Sequence, residues 1–251
     1  MQSTTPPRER GAKRVGSARP CRWLLCLAVV LTSSFAPARA ARADDVSEYW
    51  PEANVFVTLN PRTRLFFDTP YADGKESAHS VLELAAYLDV SLKPIKKRLQ
   101  SEDWQRSRYF WARIGYDRVF NDLGTSDAKV AENRGIVSLY GKVLMPAAIV
   151  GEGRVRADLR WLGSGYSTRY RLRGEVTREF SVLGHTVVPF FNVEWFYDTR
   201  YDGWARTLYQ AGFELTVSRH FRFELNLSQQ TDTLPETSRL NAFSVVLKGY
   251  Y

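Results

Sequence analysis

Charged side chains recur at every second residue in the central part of this sequence, and they are the groups most able to do chemistry. In Arg154–Arg160 and Arg169–Glu175, they alternate with mostly apolar residues and therefore share one face of an extended strand. Arginine suits such a face because its planar guanidinium binds carboxylates through two parallel hydrogen bonds. This charge set consists of Arg113, Asp117, Arg154, Arg156, Asp158, Arg160, Arg169, Arg171, Arg173, Glu175, Glu194, Asp198, Glu214, Arg222 and Glu224.

Two interpretations of the charge set remain open. If the strands are neighbours, the charges line one wall of an interior, which would suit a passage or a binding site for an anionic solute. Alternatively, the charges form a network of ion pairs that fills a narrow interior. Because a buried charge is costly unless it is paired, and because both signs are present, we favour the filled interior.

Catalytic and metal-binding patterns are scarce. The histidines are His79, His185 and His220, and the last two fall in predicted turns. His79 stands beside Ser80, but no G-x-S-x-G nucleophile motif is present. No set of His, Asp and Glu has a recognised metal-ligand spacing. We therefore predict no catalytic residue, no metal and no cofactor; an enzyme that modifies lipids through His79 is the alternative.

Alternation of apolar and polar residues with a period of two indicates β-strands along most of the chain. It is clearest in Tyr209–Ser218, and it extends to two shorter N-terminal candidates, Ala53–Leu59 and Thr63–Thr69. About 11 strands can be counted in this way. Because single-chain bacterial barrels have even strand numbers, we predict an all-β, antiparallel, up-and-down transmembrane barrel of about 12 strands, with 10 as the alternative.

The connection Lys93–Ser107 does not fit the expected alternation of short and long connections. It is long on the side of the barrel that should have short turns. Pro94 precedes a basic stretch, Ile95–Asp103, for which we predict a short helix. The role of this connection stays open.

Alternation by itself fits both a membrane barrel and a soluble barrel, which differ in where the apolar face points. Aromatic residues near strand ends favour the membrane barrel, because such residues form girdles at the two interfaces. The apolar C-terminal strand ends in an aromatic residue, as in proteins recognised by the barrel-assembly machinery. The residues assigned to the aromatic girdles and to this terminus are Trp161, Trp195, Tyr197, Tyr209 and Tyr251.

Residues 1–43 have the three parts of a cleaved secretory signal. A basic segment precedes the apolar run Leu24–Leu31, and Ala41-Arg42-Ala43 fits a cleavage site. Without this segment, 27 basic and 26 acidic residues remain, so the charge gives no reason to expect nucleic-acid binding. Both cysteines also lie in the signal, and the mature chain, residues 44–251, is predicted to form one domain without a disulfide.

Five charged and aromatic motifs stand out along the chain: Arg169–Arg173, Asn192–Asp198, Tyr209–Gly212, Glu48–Glu52 and Arg113–Tyr116. Together they resemble a proteobacterial family of outer-membrane β-barrels of unknown function. The resemblance implies a location and a fold, and it brings no active-site residues.

These observations together predict a porin-like outer-membrane barrel of a Gram-negative bacterium, with a structural role or a role in the passive transport of small solutes. Its partners would be outer-membrane lipid and the barrel-assembly machinery, and we favour a monomer. The alternatives are the lipid-modifying barrel enzyme and a soluble periplasmic β-barrel that binds an apolar ligand.

Overall fold

The structure, a computed structural model, describes residues 45–74, 79–94, 108–122, 130–235 and 238–251. The predicted signal, residues 1–43, and the predicted helix Ile95–Asp103 lie outside the described residues. The strands are β1 (Asp45–Asn60), β2 (Thr63–Gly74), β3 (His79–Pro94), β4 (Arg108–Asp122), β5 (Val130–Leu144), β6 (Ile149–Leu162), β7 (Gly165–Arg178), β8 (Phe180–Val182), β9 (His185–Asp198), β10 (Gly203–Thr216), β11 (Phe221–Asp232) and β12 (Ser238–Tyr250).

The strands form one sheet that closes on itself. Each long strand pairs antiparallel with the next, and β12 returns to pair with β1. The three-residue strand β8 lies end to end with β7 along β9, separated from β7 by Glu179. The predicted all-β, up-and-down barrel of about 12 strands is therefore confirmed, with eleven strands in the ring itself.

An odd number of strands determines how the ring closes. In an up-and-down barrel the direction alternates from strand to strand, so the first and last strands of an eleven-stranded ring point the same way. Accordingly, β1 and β12 pair in parallel, from Asp45 opposite Arg239 to Phe56 opposite Tyr250. Tyr251 extends this pairing, because its N–H donates to the Phe56 carbonyl at 2.8 Å. The even number expected for bacterial barrels does not apply to this ring.

Short connections join several strands. Leu183 and Gly184 both have positive φ angles, 51° and 82°, as the two-residue turn of a tight hairpin requires. A 3₁₀ helix, Pro146–Ala148, joins β5 to β6. Within the described ranges, the structure contains no helix that is both long enough and apolar enough to span a membrane.

Side chains on the two faces of the sheet have opposite polarity. Phe213 is 41% exposed on the outer face, whereas its neighbour Glu214 lines the interior. The most deeply buried side chains include Arg64, Asp89 and Asp158, each at most 1% exposed. The apolar face therefore points outward and the charged face inward, which is the reverse of a soluble barrel.

Gly115 of β4 lies beneath an aromatic ring that packs inside the barrel. A methyl group at this position would lie 2.3 Å from Cδ1 of Tyr87 and 2.4 Å from the carbonyl oxygen of Ala86. The Tyr87 ring in turn stacks on Phe66 at 5.2 Å between centroids. The close approach of β3 and β4 thus requires a residue without a side chain here.

We expect Gly115→Ala to lower the free energy of unfolding by about 1–3 kcal/mol, because the packed ring and backbone must move apart. The control is Gly174→Ala on β7, where an added methyl group has no atom within 4 Å. Denaturant titration followed by tryptophan fluorescence measures both variants. Equal stabilities of the two variants would contradict the packing described for Gly115.

Candidate functional site

The interior of the barrel is the candidate site, and the structure brings the whole charge set predicted from the sequence into it. The charge set surrounds a cavity of about 680 Å³. Eleven members line this cavity: Arg113, Arg154, Arg156, Arg169, Arg171, Arg173, Glu175, Glu194, Glu214, Arg222 and Glu224. The other four are buried in ion pairs: Asp117, Asp158, Arg160 and Asp198.

Single carboxylates shared by several arginines connect the network across neighbouring strands. Asp198 accepts hydrogen bonds from Arg160 at 2.8 Å, from Arg169 at 3.2 Å and from Arg200 at 3.0 Å. Glu132 of β5 likewise accepts hydrogen bonds from both Arg160 and Arg134. Such charge-assisted bonds are about twice as strong as neutral ones, and they compensate the desolvation of the buried groups.

Four arginines on β6 and β7, which we call the arginine quartet, lie directly opposite one another in two pairs. Arg154 faces Arg173, and Arg156 faces Arg171. Like charges opposite each other on adjacent strands are destabilising unless counter-charges offset them. Glu194 supplies one such charge, since it accepts from Arg154 at 2.5 Å and from Arg171 at 2.7 Å.

Asp158, Glu152 and Glu175 supply further counter-charges to the arginine quartet, with Glu175 3.7 Å from Arg173. Arg156 donates to Asp158 through Nε, and Arg171 lies 3.7 Å from the same carboxylate. Arg173 donates to Glu152 at 3.0 Å, and Glu152 also pairs with Lys142 at 3.2 Å. The arginine quartet is therefore held in place while its members still line the cavity.

Four aromatic rings form a continuous inner stack, which we call the aromatic stack: Tyr250, Phe56, Phe66 and Tyr87. Successive centroids lie 4.9, 4.5 and 5.2 Å apart, so the stack runs from β12 across the closing pair to β3. Guanidinium groups lie over three of its rings at 4.2–4.5 Å, each within the range of a cation–π contact: Arg222 over Tyr250, Arg64 over Phe56 and Arg113 over Phe66.

Asp89 forms ion pairs with two of the arginines that cover the aromatic stack. Its carboxylate accepts from Arg64 at 2.5 Å and from Arg113 at 2.6 Å, and its side chain is fully buried. Sequence analysis assigned Arg113 to the charge set and missed Arg64 and Asp89. Both belong to the same alternation, since Arg64 and Phe66 are two positions apart on β2, and Tyr87 and Asp89 are two positions apart on β3.

The network contains further charged residues that sequence analysis did not assign to it. They share the same inward register and could have been found by extending the alternation through β1–β6 and β10–β12. They are Glu52, Asp68, Glu83, Glu132, Arg134, Lys142, Glu152, Arg206, Asp232 and Lys248.

The predicted girdle aromatics lie on the outside of the barrel. Trp161, Trp195, Tyr209 and Tyr251 are 43%, 44%, 42% and 61% exposed, and Tyr197 is partly exposed. The Tyr197 hydroxyl donates to Asp202 in the following turn. None of the five lines the cavity, so their surroundings are separate from the charged site.

The histidines take no part in this site within the described structure. His185 begins β9, and His220 lies in the turn before β11, with Nδ1 2.7 Å from the Tyr250 carbonyl oxygen. His79 begins β3, but its side chain lies outside the described residues. Across the described part of the chain, no three His, Cys, Asp or Glu side chains are grouped to hold a metal ion.

We expect Asp89→Asn to lower the free energy of unfolding by about 3–5 kcal/mol, because it removes the carboxylate charge that two buried guanidinium groups share. The matched control is Asp232→Asn. Asp232 pairs with Arg206 at 2.5 Å, but the two side chains are 21% and 33% exposed. Its loss should cost only about 0–1 kcal/mol. Chemical denaturation of both variants measures the difference, and a similar cost at the two sites would contradict the role of Asp89.

Comparison with known proteins gives no family for this chain. No family model matches it, no curated protein matches it, and no solved structure matches it. The resemblance to a family of outer-membrane barrels therefore stays a prediction.

Proposed function

We propose that this protein is an integral outer-membrane β-barrel of a Gram-negative bacterium, whose polar interior admits small solutes. The observation that carries the proposal is the inverted polarity of the barrel. Apolar side chains cover its outer surface, and ion-paired arginines and carboxylates line its interior.

The outer surface is apolar on every strand of the ring. Large apolar side chains exposed by more than a third include one from each of the eleven long strands: Val55, Phe67, Leu84, Ile114, Leu139, Val155, Leu172, Phe191, Phe213, Leu227 and Leu247. Water-soluble monomers rarely expose a contiguous apolar patch larger than a few hundred Å². A band that continues around the whole barrel supports contact with hydrocarbon.

The backbone also meets the requirements of a bilayer. A strand that crosses the hydrocarbon core needs about 9–11 residues, and the long strands have 12–16. Because the ring is closed, no long strand of the described sheet has an open edge. Closure within one chain supports a monomer.

Polar outward residues mark one end of the apolar band. Gln229 of β11 donates to Asn241 of β12 at 3.3 Å on the exterior, and the Tyr116 hydroxyl donates to Asn133 toward the same end. Apolar side chains such as Leu227 and Phe243 follow immediately toward the middle of the barrel. This transition supports a boundary between hydrocarbon and the polar headgroup region.

The size and lining of the interior favour passive passage of small solutes over a purely structural role. Its cavity of about 680 Å³ is lined mainly by charged and amide side chains, with aromatic rings between them. The ion pairs narrow this space without filling it. A solute that crosses must therefore be small, and it must exchange water for contacts with charged groups.

We expect the protein to fractionate with outer membranes, to require detergent for extraction, and to migrate differently on gels before and after boiling. Leu172→Arg should destabilise the folded protein in lipid vesicles by about 2–4 kcal/mol, since it places a charge in the apolar band. Gln229→Arg, at the polar end, should cost only about 0–1 kcal/mol. Urea titration of vesicle-bound protein measures both values.

A soluble periplasmic barrel would behave differently in both experiments. A protein released by osmotic shock without detergent, or equal folding free energies of the two arginine variants in lipid, would contradict a membrane-embedded exterior.

In planar bilayers we expect small, discrete conductance steps from the wild-type protein. Arg156 lines the cavity and pairs only with Asp158 among the described residues. Arg156→Ala should therefore widen the passage and increase the size of the steps. Silence from both proteins would contradict passage and leave the structural role.

A further inference from the structure

We infer that the interior of the barrel contains a binding site for a small zwitterion, with its ammonium group at Glu52 and Asp68 and its carboxylate at the arginine quartet. The inference rests on the proposed function, because it names the class of solute that the interior admits. It depends on an uneven distribution of counter-charge around the cavity.

Glu52 and Asp68, the acidic pair, lie on β1 and β2, and the cations Lys248, Arg113 and Arg156 act on them only at longer range, without ion-pair contact. Glu52 accepts a hydrogen bond from Nδ2 of Asn54 at 2.7 Å, and Asn54 faces Asp68 across the two strands. Within the described residues, no lysine or arginine forms an ion pair with either carboxylate. By contrast, Asp89 and Glu194 each bind two guanidinium groups.

A second observation indicates that a donor belongs here. Asn54 is only 6% exposed, and its Oδ1 is buried without a hydrogen-bond partner, as is Oδ1 of Asp68. Glu52 also lies within hydrogen-bond reach of Asp68, so a proton shared by the two carboxyl groups can serve one contact between them. Such a proton leaves the amide oxygen of Asn54 without a donor, and a buried acceptor without a partner is unfavourable.

An ammonium group fits these acceptors by charge and by number of donors. It carries three N–H donors and no acceptor, and the site offers two carboxylates and one amide oxygen. A divalent metal fits less well, because Ca²⁺ takes six to eight oxygen ligands. The acidic pair therefore favours an amine over a hard metal ion.

The arginine quartet on the other side of the cavity has donors to spare. Arg156 commits only Nε to Asp158, and the buried Nε groups of Arg154 and Arg173 have no acceptor among the described residues. A guanidinium carries five N–H donors arranged in a planar fork that matches a carboxylate. An incoming carboxylate would therefore find uncommitted N–H donors on several of these arginines.

The ring order places the two sides across the interior from each other. Three strands, β3–β5, separate β2 from β6 on one side of the eleven-stranded ring, and four strands, β9–β12, separate β7 from β1 on the other. The acidic pair, Asn54 and the arginine quartet all line the same cavity. A solute with both charges can contact both sides at once, whereas a simple anion or cation contacts only one.

Calorimetric titration of the purified full-length barrel tests this inference. The probes are three amino acids of increasing length, glycine, 4-aminobutanoate and 6-aminohexanoate, and two probes with a single charge, hexanoate and hexylammonium. We expect at least one amino acid to bind about tenfold or more tightly than either single-charge probe, because a charged hydrogen-bonded contact is worth about 1.5–3 kcal/mol and 1.4 kcal/mol is tenfold.

Variants separate the two halves of the site. Asp68→Asn should weaken amino-acid binding about tenfold and leave hexanoate binding unchanged, while Arg156→Gln should weaken both. Asp202→Asn, which alters a hydrogen bond to Tyr197 on the outside of the barrel, should change neither. Glu52→Gln repeats the test of the acidic half if Asp68→Asn does not fold, as judged by heat-modifiable gel mobility.

The inference would be overturned if the amino acids bound no more tightly than the single-charge probes. It would also be overturned if Asp68→Asn and Glu52→Gln both bound amino acids as tightly as the wild-type protein. The titration does not depend on a bilayer. If the protein proved soluble, the same experiment in detergent-free buffer would still decide the inference, while the membrane proposal would fail by itself.

Discussion

Shared carboxylates hold the interior of this barrel together. Asp89, Glu194 and Asp198 each accept hydrogen bonds from two or three guanidinium groups, and all three are almost completely buried. Removing charges from water costs several kcal/mol per ion, and good pairing geometry must offset that cost. Arginine meets this demand better than lysine because its donors lie in a rigid plane that serves two carboxylates from one position. The rest of the fold depends on this balance, since a barrel with an apolar exterior leaves only the interior for its charges.

Closure of the ring depends on side chains as well as on the backbone. Parallel pairing is slightly less stable per residue than antiparallel pairing, and β1 and β12 are the strands that pair in this way. The aromatic stack crosses this pair from Tyr250 to Phe56, and Arg222 and Arg64 cover the two rings. Stacking and cation–π contacts therefore reinforce the parallel pair that an odd number of strands imposes.

Period-two alternation was sufficient to predict the fold class and which residues share a face, whereas the direction of the apolar face was predicted from the aromatic residues near strand ends. Phe213, Glu214 and Arg222 lie on the faces that their register predicts, because a side chain in a strand has only two directions available. The partners within the network could not be predicted in this way. Which arginine meets Glu194 depends on the register between β6, β7 and β9, and this register is set by turns and strand tilt. The parallel closure was missed because the expected even parity is an empirical rule about other barrels.

The same reasoning explains why the acidic pair was not predicted. A nearly neutral composition, with 27 basic and 26 acidic residues after position 43, suggests that every interior charge has a partner. Neutrality of the whole does not require that each carboxylate be paired, and Glu52 and Asp68 form no ion pair with a lysine or arginine of the described residues. Two carboxylates in contact repel each other unless they share a proton or bind a cation. Composition gives no sign of such a pair, because the register between β1 and β2 is what brings its members together.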